Sequence, residues 1–105
     1  MINVGVIGAT GSVGSSVMAV CEAWPEKISV KALAANRRSE KLVSLAEKLN
    51  VKKIYPYEEY GDEGLEIIAN DPEIEHLVFA SSGTAAIKAL CSALKAGKTV
   101  SLANK

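Results

Sequence analysis

The sequence predicts an α/β domain built on a doubly wound, mostly parallel sheet of five strands, and three observations predict it. A short apolar run, Ile2 to Ile7, leads through Gly8-Ala-Thr-Gly11-Ser-Val-Gly14 into residues at helical spacing. Strand-like runs then alternate with helix-like stretches along the chain, the pattern of repeated βαβ units. Those runs are mostly apolar rather than alternating, as parallel strands covered on both faces should be.

The elements follow in order. After the first strand and its glycines, Ser15 to Trp24 reads as a helix, with Val13, Val17, Val20, Cys21 and Trp24 recurring at helical spacing. Pro25 separates it from a second strand, Ile28 to Ala35. Ser39 can cap a helix running to Asn50, whose stripe is Leu42, Leu45, Ala46 and Leu49. Val51 to Tyr55 is a short third strand stopped by Pro56, and the acidic stretch Glu58 to Gly64 reads as an irregular loop. Leu65 to Ala69 is a short helix ending at Asn70-Asp-Pro72, and His76 to Ala80 is the fourth strand. Thr84 caps a helix with Ile87, Leu90, Cys91 and Leu94 on one side, closed by Gly97. Lys98 to Ala103 is the fifth strand. Right-handed crossovers then give the strand order 3-2-1-4-5 of a Rossmann-like sheet.

Composition bounds the function. A chain of 105 residues, 49% hydrophobic, makes one domain, 1–105, with one core. Twelve basic residues against twelve acidic argue against nucleic-acid or anionic-membrane partners. No apolar run spans a bilayer and the start lacks a signal-peptide pattern, so the expected location is cytoplasmic. Cys21 and Cys91 read as two buried thiols rather than a redox pair. His76 has no Cys or acidic neighbours at ligand spacing, so no metal site is expected in this stretch.

A sheet of this kind binds ligands at the carboxyl ends of its strands, at the switch between strands 1 and 4. The glycine loop, Asn36-Arg37-Arg38-Ser39 after strand 2, Ser81-Ser82-Gly83 after strand 4, and Asn104-Lys105 after strand 5 converge there. In the glycine loop Gly8 allows a tight turn, Gly11 lets backbone approach a pyrophosphate, and Gly14 lets helix and strand pack closely. The N–H groups from Thr10 to Val13 point with the helix dipole at an anion. The spacing GxxGxxG departs from the strict dinucleotide motif, and its strand-loop-helix context carries the assignment. Where an NAD site has Asp or Glu at the end of strand 2, this chain has Ala35 and Asn36 followed by Arg37 and Arg38. Arginine can clamp a 2′-phosphate bidentately, which favours NADPH.

The glycine loop, Ala32-Leu-Ala-Ala, and above all Ala96-Gly-Lys-Thr-Val-Ser-Leu-Ala-Asn-Lys105 resemble the 1-deoxy-D-xylulose 5-phosphate reductoisomerase family over the whole chain. The resemblance implies an NADPH-binding domain of an enzyme that rearranges its substrate and reduces it with NADPH to 2-C-methyl-D-erythritol 4-phosphate, in non-mevalonate isoprenoid synthesis. It implies that Thr10, Gly11, Ser12 and Val13 hold the cofactor's pyrophosphate and ribose, within the loop that Gly8 and Gly14 shape, with Asn36, Arg37 and Arg38 in the 2′-phosphate loop. There the family pattern is often Gly-Lys-Asn, so the contact pattern differs while staying basic. Asn104 would touch the cofactor near the nicotinamide and Lys105 would face the substrate. The resemblance further implies a homodimeric full enzyme whose magnesium or manganese ligands lie beyond this stretch. No catalytic residue is then expected within it, and the chain alone is expected to be an inactive fragment. Two alternatives remain open on the residues: a semialdehyde dehydrogenase-like reductase, and a non-catalytic NADP(H)-sensing module.

Overall fold

The computed structural model describes residues 1–81 and 84–102. The elements run β1 (Ile2–Ile7), α1 (Ser12–Ala23), β2 (Ile28–Ala35), α2 (Glu40–Leu49), β3 (Lys53–Pro56), α3 (Tyr57–Asn70), β4 (His76–Phe79), α4 (Thr84–Lys95) and β5 (Thr99–Leu102). The five strands form one sheet in the order β3-β2-β1-β4-β5, and every neighbouring pair is parallel. The predicted architecture and strand order are those observed.

The two-residue period of the strands sorts the core into two layers. Val4 and Val6 of β1, with Val30, Leu33 and Ala35 of β2, pack on Met18 and Cys21 of α1 and Leu42 and Ala46 of α2. Ile7, Ala32, Ala34, Leu77 and Phe79 point the other way, onto Leu65, Ile68 and Ala69 of α3 and Ala86, Ala89 and Ala93 of α4. Each sheet face is thus covered by two helices, which is why the buried ends of β1 and β2 are apolar on both faces. Gly5 sits on the second face because a Cβ there would lie 2.9 Å from Leu77 Cδ2 and 3.1 Å from Ile68 Cγ2. Among the described residues no helix is long and apolar enough to cross a membrane.

Three local expectations are corrected. The stretch Glu58 to Gly64 is helical: α3 starts directly at Tyr57, with a break at Gly61 (φ 61°, ψ −149°). Pro56 supplies the extended N-cap conformation, and Glu58 and Glu59 in the first turn suit the positive end of the helix dipole. Gly61 takes a conformation that is essentially reserved for glycine, and it separates the acidic turn from the apolar turns that follow. In α1 the buried residues are Gly14, Met18 and Cys21, whereas Val20 and Trp24 are exposed. Gly14 fixes that rotation by lying against the turn at Gly8 and Ala9. In α4, which already contains Thr84 as its first residue, Ala86, Ala89 and Ala93 face the sheet. Ile87, Cys91 and Leu94 are exposed, and of the predicted stripe only Leu90 packs against the core. Cys91 is therefore not the buried thiol expected, while Cys21 is buried and burial pushes its thiol pKa up. The two cysteines lie on helices covering opposite faces of the sheet.

Strand ends shift by one or two residues. β3 covers Lys53–Pro56 and so includes the proline, at its last position on an edge strand where no neighbour needs its N–H. The second helix matches its expectation closely: Ser39 Oγ accepts from Leu42 N–H, and Asn50 closes the helix in the left-handed conformation.

Candidate cofactor site

A cleft of about 650 Å³ opens at the carboxyl ends of β1, β2 and β4. Its floor is Ile7, Gly8, Ala34 and Ala35, and its walls include Thr10, Gly11, Asn36, Ala80 and Ser81. This is the switch point of the strand order, where the crossovers to either side leave a crevice.

The glycine loop is built by the backbone. Gly8 adopts φ 89°, and a Cβ there would meet the Ala80 and Ser81 backbone at 2.8 Å. The Gly8 and Ala9 N–H groups both donate to Ala34 O, at 2.9 and 3.0 Å, tying the loop to the end of β2. Gly11 is the N-cap of α1 and brings no side-chain cap; the first turn holds no acid. Its N–H donates to Gly8 O at 3.3 Å, so of the predicted Thr10 to Val13 set this one is already engaged. The N–H groups of Thr10, Ser12 and Val13 have no partner among the described residues. A helix start with open donors and no competing carboxylate favours an anion.

Gly11 and Gly14 serve different purposes. At Gly11 an added Cβ would meet only Gly8 O, at 3.7 Å, so a side chain there would project into the cleft. At Gly14 a Cβ would overlap Gly8 O outright and crowd the Ala9 backbone at 2.9 Å. The first glycine keeps space for a ligand, and the second keeps space for the fold.

Several residues at this rim escape the sequence reading. Lys41 Nζ donates to Thr10 O at 3.1 Å and to Ser15 Oγ at 2.6 Å, which sets an ammonium beside the glycine loop. Ser15 Oγ in turn donates to Gly11 O at 2.9 Å. Tyr57 and Leu65 of α3 line the cleft. Glu58 and Glu59 reach the β2 loop: Arg38 forms a two-pronged ion pair with Glu59 at 2.8 Å. None of these has a local sequence signal, because each depends on one βαβ unit packing beside another.

Asn36, Arg37 and Arg38 stand exposed at the end of β2, as expected. Ser81 and Thr84 lie at the cleft. Ser82, Gly83, Asn104 and Lys105 lie outside the described residues. His76 is half-buried away from this rim, with Nε2 2.7 Å from Ser101 Oγ. Among the described residues no group of three or more His, Cys, Asp or Glu side chains could hold a metal ion.

Comparison with known proteins gives the same family from several directions. The family model described as 1-deoxy-D-xylulose 5-phosphate reductoisomerase matches residues 4–59 and 53–105. The reductoisomerase of Aquifex aeolicus (strain VF5) is 38% identical over 120 aligned residues, covering 99% of this chain and 31% of that protein. That of Desulforamulus reducens is 34% identical over 125 aligned residues, covering 100% of this chain and 32% of that protein. A solved DOX-P reductoisomerase in complex with NADPH, fosmidomycin and magnesium is 31% identical, with a TM-score of 0.91 over 99% of this chain and 30% of that one. The Zymomonas mobilis enzyme in complex with NADPH is 30% identical, with a TM-score of 0.86 over 98% of this chain and 32% of that one. The biliverdin reductase of Synechocystis sp. PCC 6803, 22% identical with a TM-score of 0.70, shares the fold alone. These alignments use 120 and 125 positions for a chain of 105 residues, so the relatives carry residues that have no counterpart in this chain. The two matched pieces overlap at 53–59, across the junction of β3 and α3. The chain spans about a third of the length of the curated relatives it matches, and it belongs to the 1-deoxy-D-xylulose 5-phosphate reductoisomerase family.

Proposed function

We propose that residues 1–105 are the NADPH-binding domain of a reductoisomerase that converts 1-deoxy-D-xylulose 5-phosphate to 2-C-methyl-D-erythritol 4-phosphate. The observation that carries this reading is the uncapped, acid-free start of α1 opening into the cleft at the strand switch point. The residues fit the cofactor: Gly11 leaves space where a pyrophosphate would lie, and Thr10, Ser12 and Val13 offer backbone donors to it. Arg37, at the end of β2, brings a cation to the ribose. Lys41 adds positive charge on the far side of Thr10. NADPH would supply a hydride when bound, and the chain's own residues would hold its phosphates. Asn104 and Lys105 are proposed at the nicotinamide and the substrate, and a magnesium or manganese site and a homodimer are proposed for the full enzyme. Family membership decides against the semialdehyde dehydrogenase-like alternative.

Calorimetric titration of the 105-residue chain with NADPH and NADH tests the reading. NADPH is expected to bind more tightly, and Gly11→Val is expected to abolish binding of both nucleotides while leaving the circular dichroism spectrum unchanged. Normal NADPH binding by Gly11→Val would make the loop purely structural. Substrate-dependent NADPH oxidation by this chain alone is expected to stay at background.

A further inference from the structure

The two arginines after β2 have different surroundings. Arg38 Nε and Nη2 donate at 2.8 Å to the two carboxylate oxygens of Glu59, the fork-to-fork geometry that a phosphate would otherwise use. The Arg38 backbone N–H donates to Glu58 Oε1 at 3.2 Å, and the Glu58 N–H donates to Asn36 O at 2.9 Å. Arg37, by contrast, has no side-chain hydrogen bond or ion pair among the described residues. The β2 loop that lacks an acid in its own sequence thus receives two from the first turn of α3, which the short β3–α3 connection lays against it.

A 2′-phosphate entering this loop meets one open guanidinium, one already occupied by a carboxylate, and two nearby negative charges. A 2′-hydroxyl meets no such repulsion. Specificity is the difference between those two binding free energies. We infer that Glu59 is a specificity-determining residue of the cofactor site: by engaging Arg38 it leaves Arg37 as the 2′-phosphate contact and narrows the preference for NADPH over NADH. The inference rests on the NADPH-binding reading above.

Titration of NADPH and of NADH into the wild-type chain, Glu59→Gln and Glu59→Ala tests it, with Arg37→Gln and Arg38→Gln run beside them. Both Glu59 variants are expected to raise the NADPH:NADH affinity ratio roughly three- to tenfold, almost wholly through tighter NADPH. Arg37→Gln is expected to lower that ratio more than Arg38→Gln does. Glu59 is exposed, and matching thermal melts establish that both variants are folded. If the wild-type chain binds NADPH and the ratio is unchanged or lower in both Glu59 variants, the specificity role is overturned and the cofactor reading stands. If the wild-type chain binds neither nucleotide, both fall.

Discussion

Gly14 is where a single hydrogen atom decides both the fold and the site. Its missing Cβ lets the first turn of α1 rest on Gly8 O and the Ala9 backbone, and that contact sets the start of the helix beside the cleft that Thr10 and Gly11 line. Gly14→Ala has better helix propensity, a gain of about 1 kcal/mol. It nevertheless forces backbone apart in a buried position, and overpacking of this kind costs roughly 1–3 kcal/mol or more. The expected net result is a lower midpoint in urea together with weaker NADPH binding. Stability equal to wild type would show that α1 can tilt away freely. Gly11→Val, a few residues earlier, is expected to affect binding alone, so the pair separates the two purposes of the loop.

At the scale of elements, α4 shows how a helix can present two stripes of the same period. Ala86, Ala89 and Ala93 recur at helical spacing, and so do Ile87, Cys91 and Leu94. The alanines face the sheet because α4 approaches β4 and α3 closely, with Ala89 and Ala93 fully buried. Ala89→Leu is therefore expected to destabilise by roughly 1–3 kcal/mol or more. Ile87→Ser, at 60% exposure, is expected to stay within about 0.5 kcal/mol of wild type. Denaturant unfolding of the two variants checks this, and the opposite order would mean that the larger stripe is the buried one. In α3 the kink at Gly61 lets one element do two things: its first turn meets the β2 loop through Glu58 and Glu59, and its later turns cover the sheet through Leu65 and Ile68. The edge-on contact of Tyr55 with Tyr60, with ring centroids 5.2 Å apart, holds the turn between them.

For the molecule as a whole, the cleft occupies one rim of the sheet and a charged cluster closes the other. Asp71 is buried and accepts from Lys53 Nζ at 2.8 Å and from Glu73 N–H at 2.9 Å. Lys98 Nζ donates to the Asp71 and Ile74 carbonyls, joining the start of β5 to the turn before β4. Burial pushes the Asp71 pKa up, but Lys53, the Glu73 N–H and the nearby Lys98 outweigh it and leave the carboxyl below its ordinary value. A carboxyl depressed in the folded state adds stability above its unfolded pKa, near pH 4, and that stability is lost as pH falls through the folded value. Asp71→Asn is accordingly expected to cost about 1–3 kcal/mol at pH 7, with the difference from wild type shrinking as the pH is taken below the unfolded value near 4. Urea unfolding on either side of that value measures it, and a pH-independent difference would assign the loss to packing rather than charge.

The chain by itself determined the strand sequence, the parallel order 3-2-1-4-5 and the glycine-loop site. Those rest on local signals: apolar runs of strand length, Ser39 as a helix cap, and glycines where the backbone must turn or approach. The same local reading put Asn36 at the cleft, with Arg37 and Arg38 exposed after it, and identified the family through the glycine loop and the Leu-Ala-Asn-Lys ending. Tertiary structure decided what local signals leave degenerate. Two stripes of equal period in α4, and neighbouring stripes in α1, are separated only by which one a sheet can accept at close range. The helical state of Glu58 to Gly64 follows from Pro56 leading straight into a turn that packs against β2, a contact between residues about twenty positions apart. Lys41 beside Thr10, 31 residues away, and Glu59 beside Arg38, 21 residues away, arise the same way. Charge partners at such separations are set by how one βαβ unit lies on the next, and no period or motif in the chain encodes that distance.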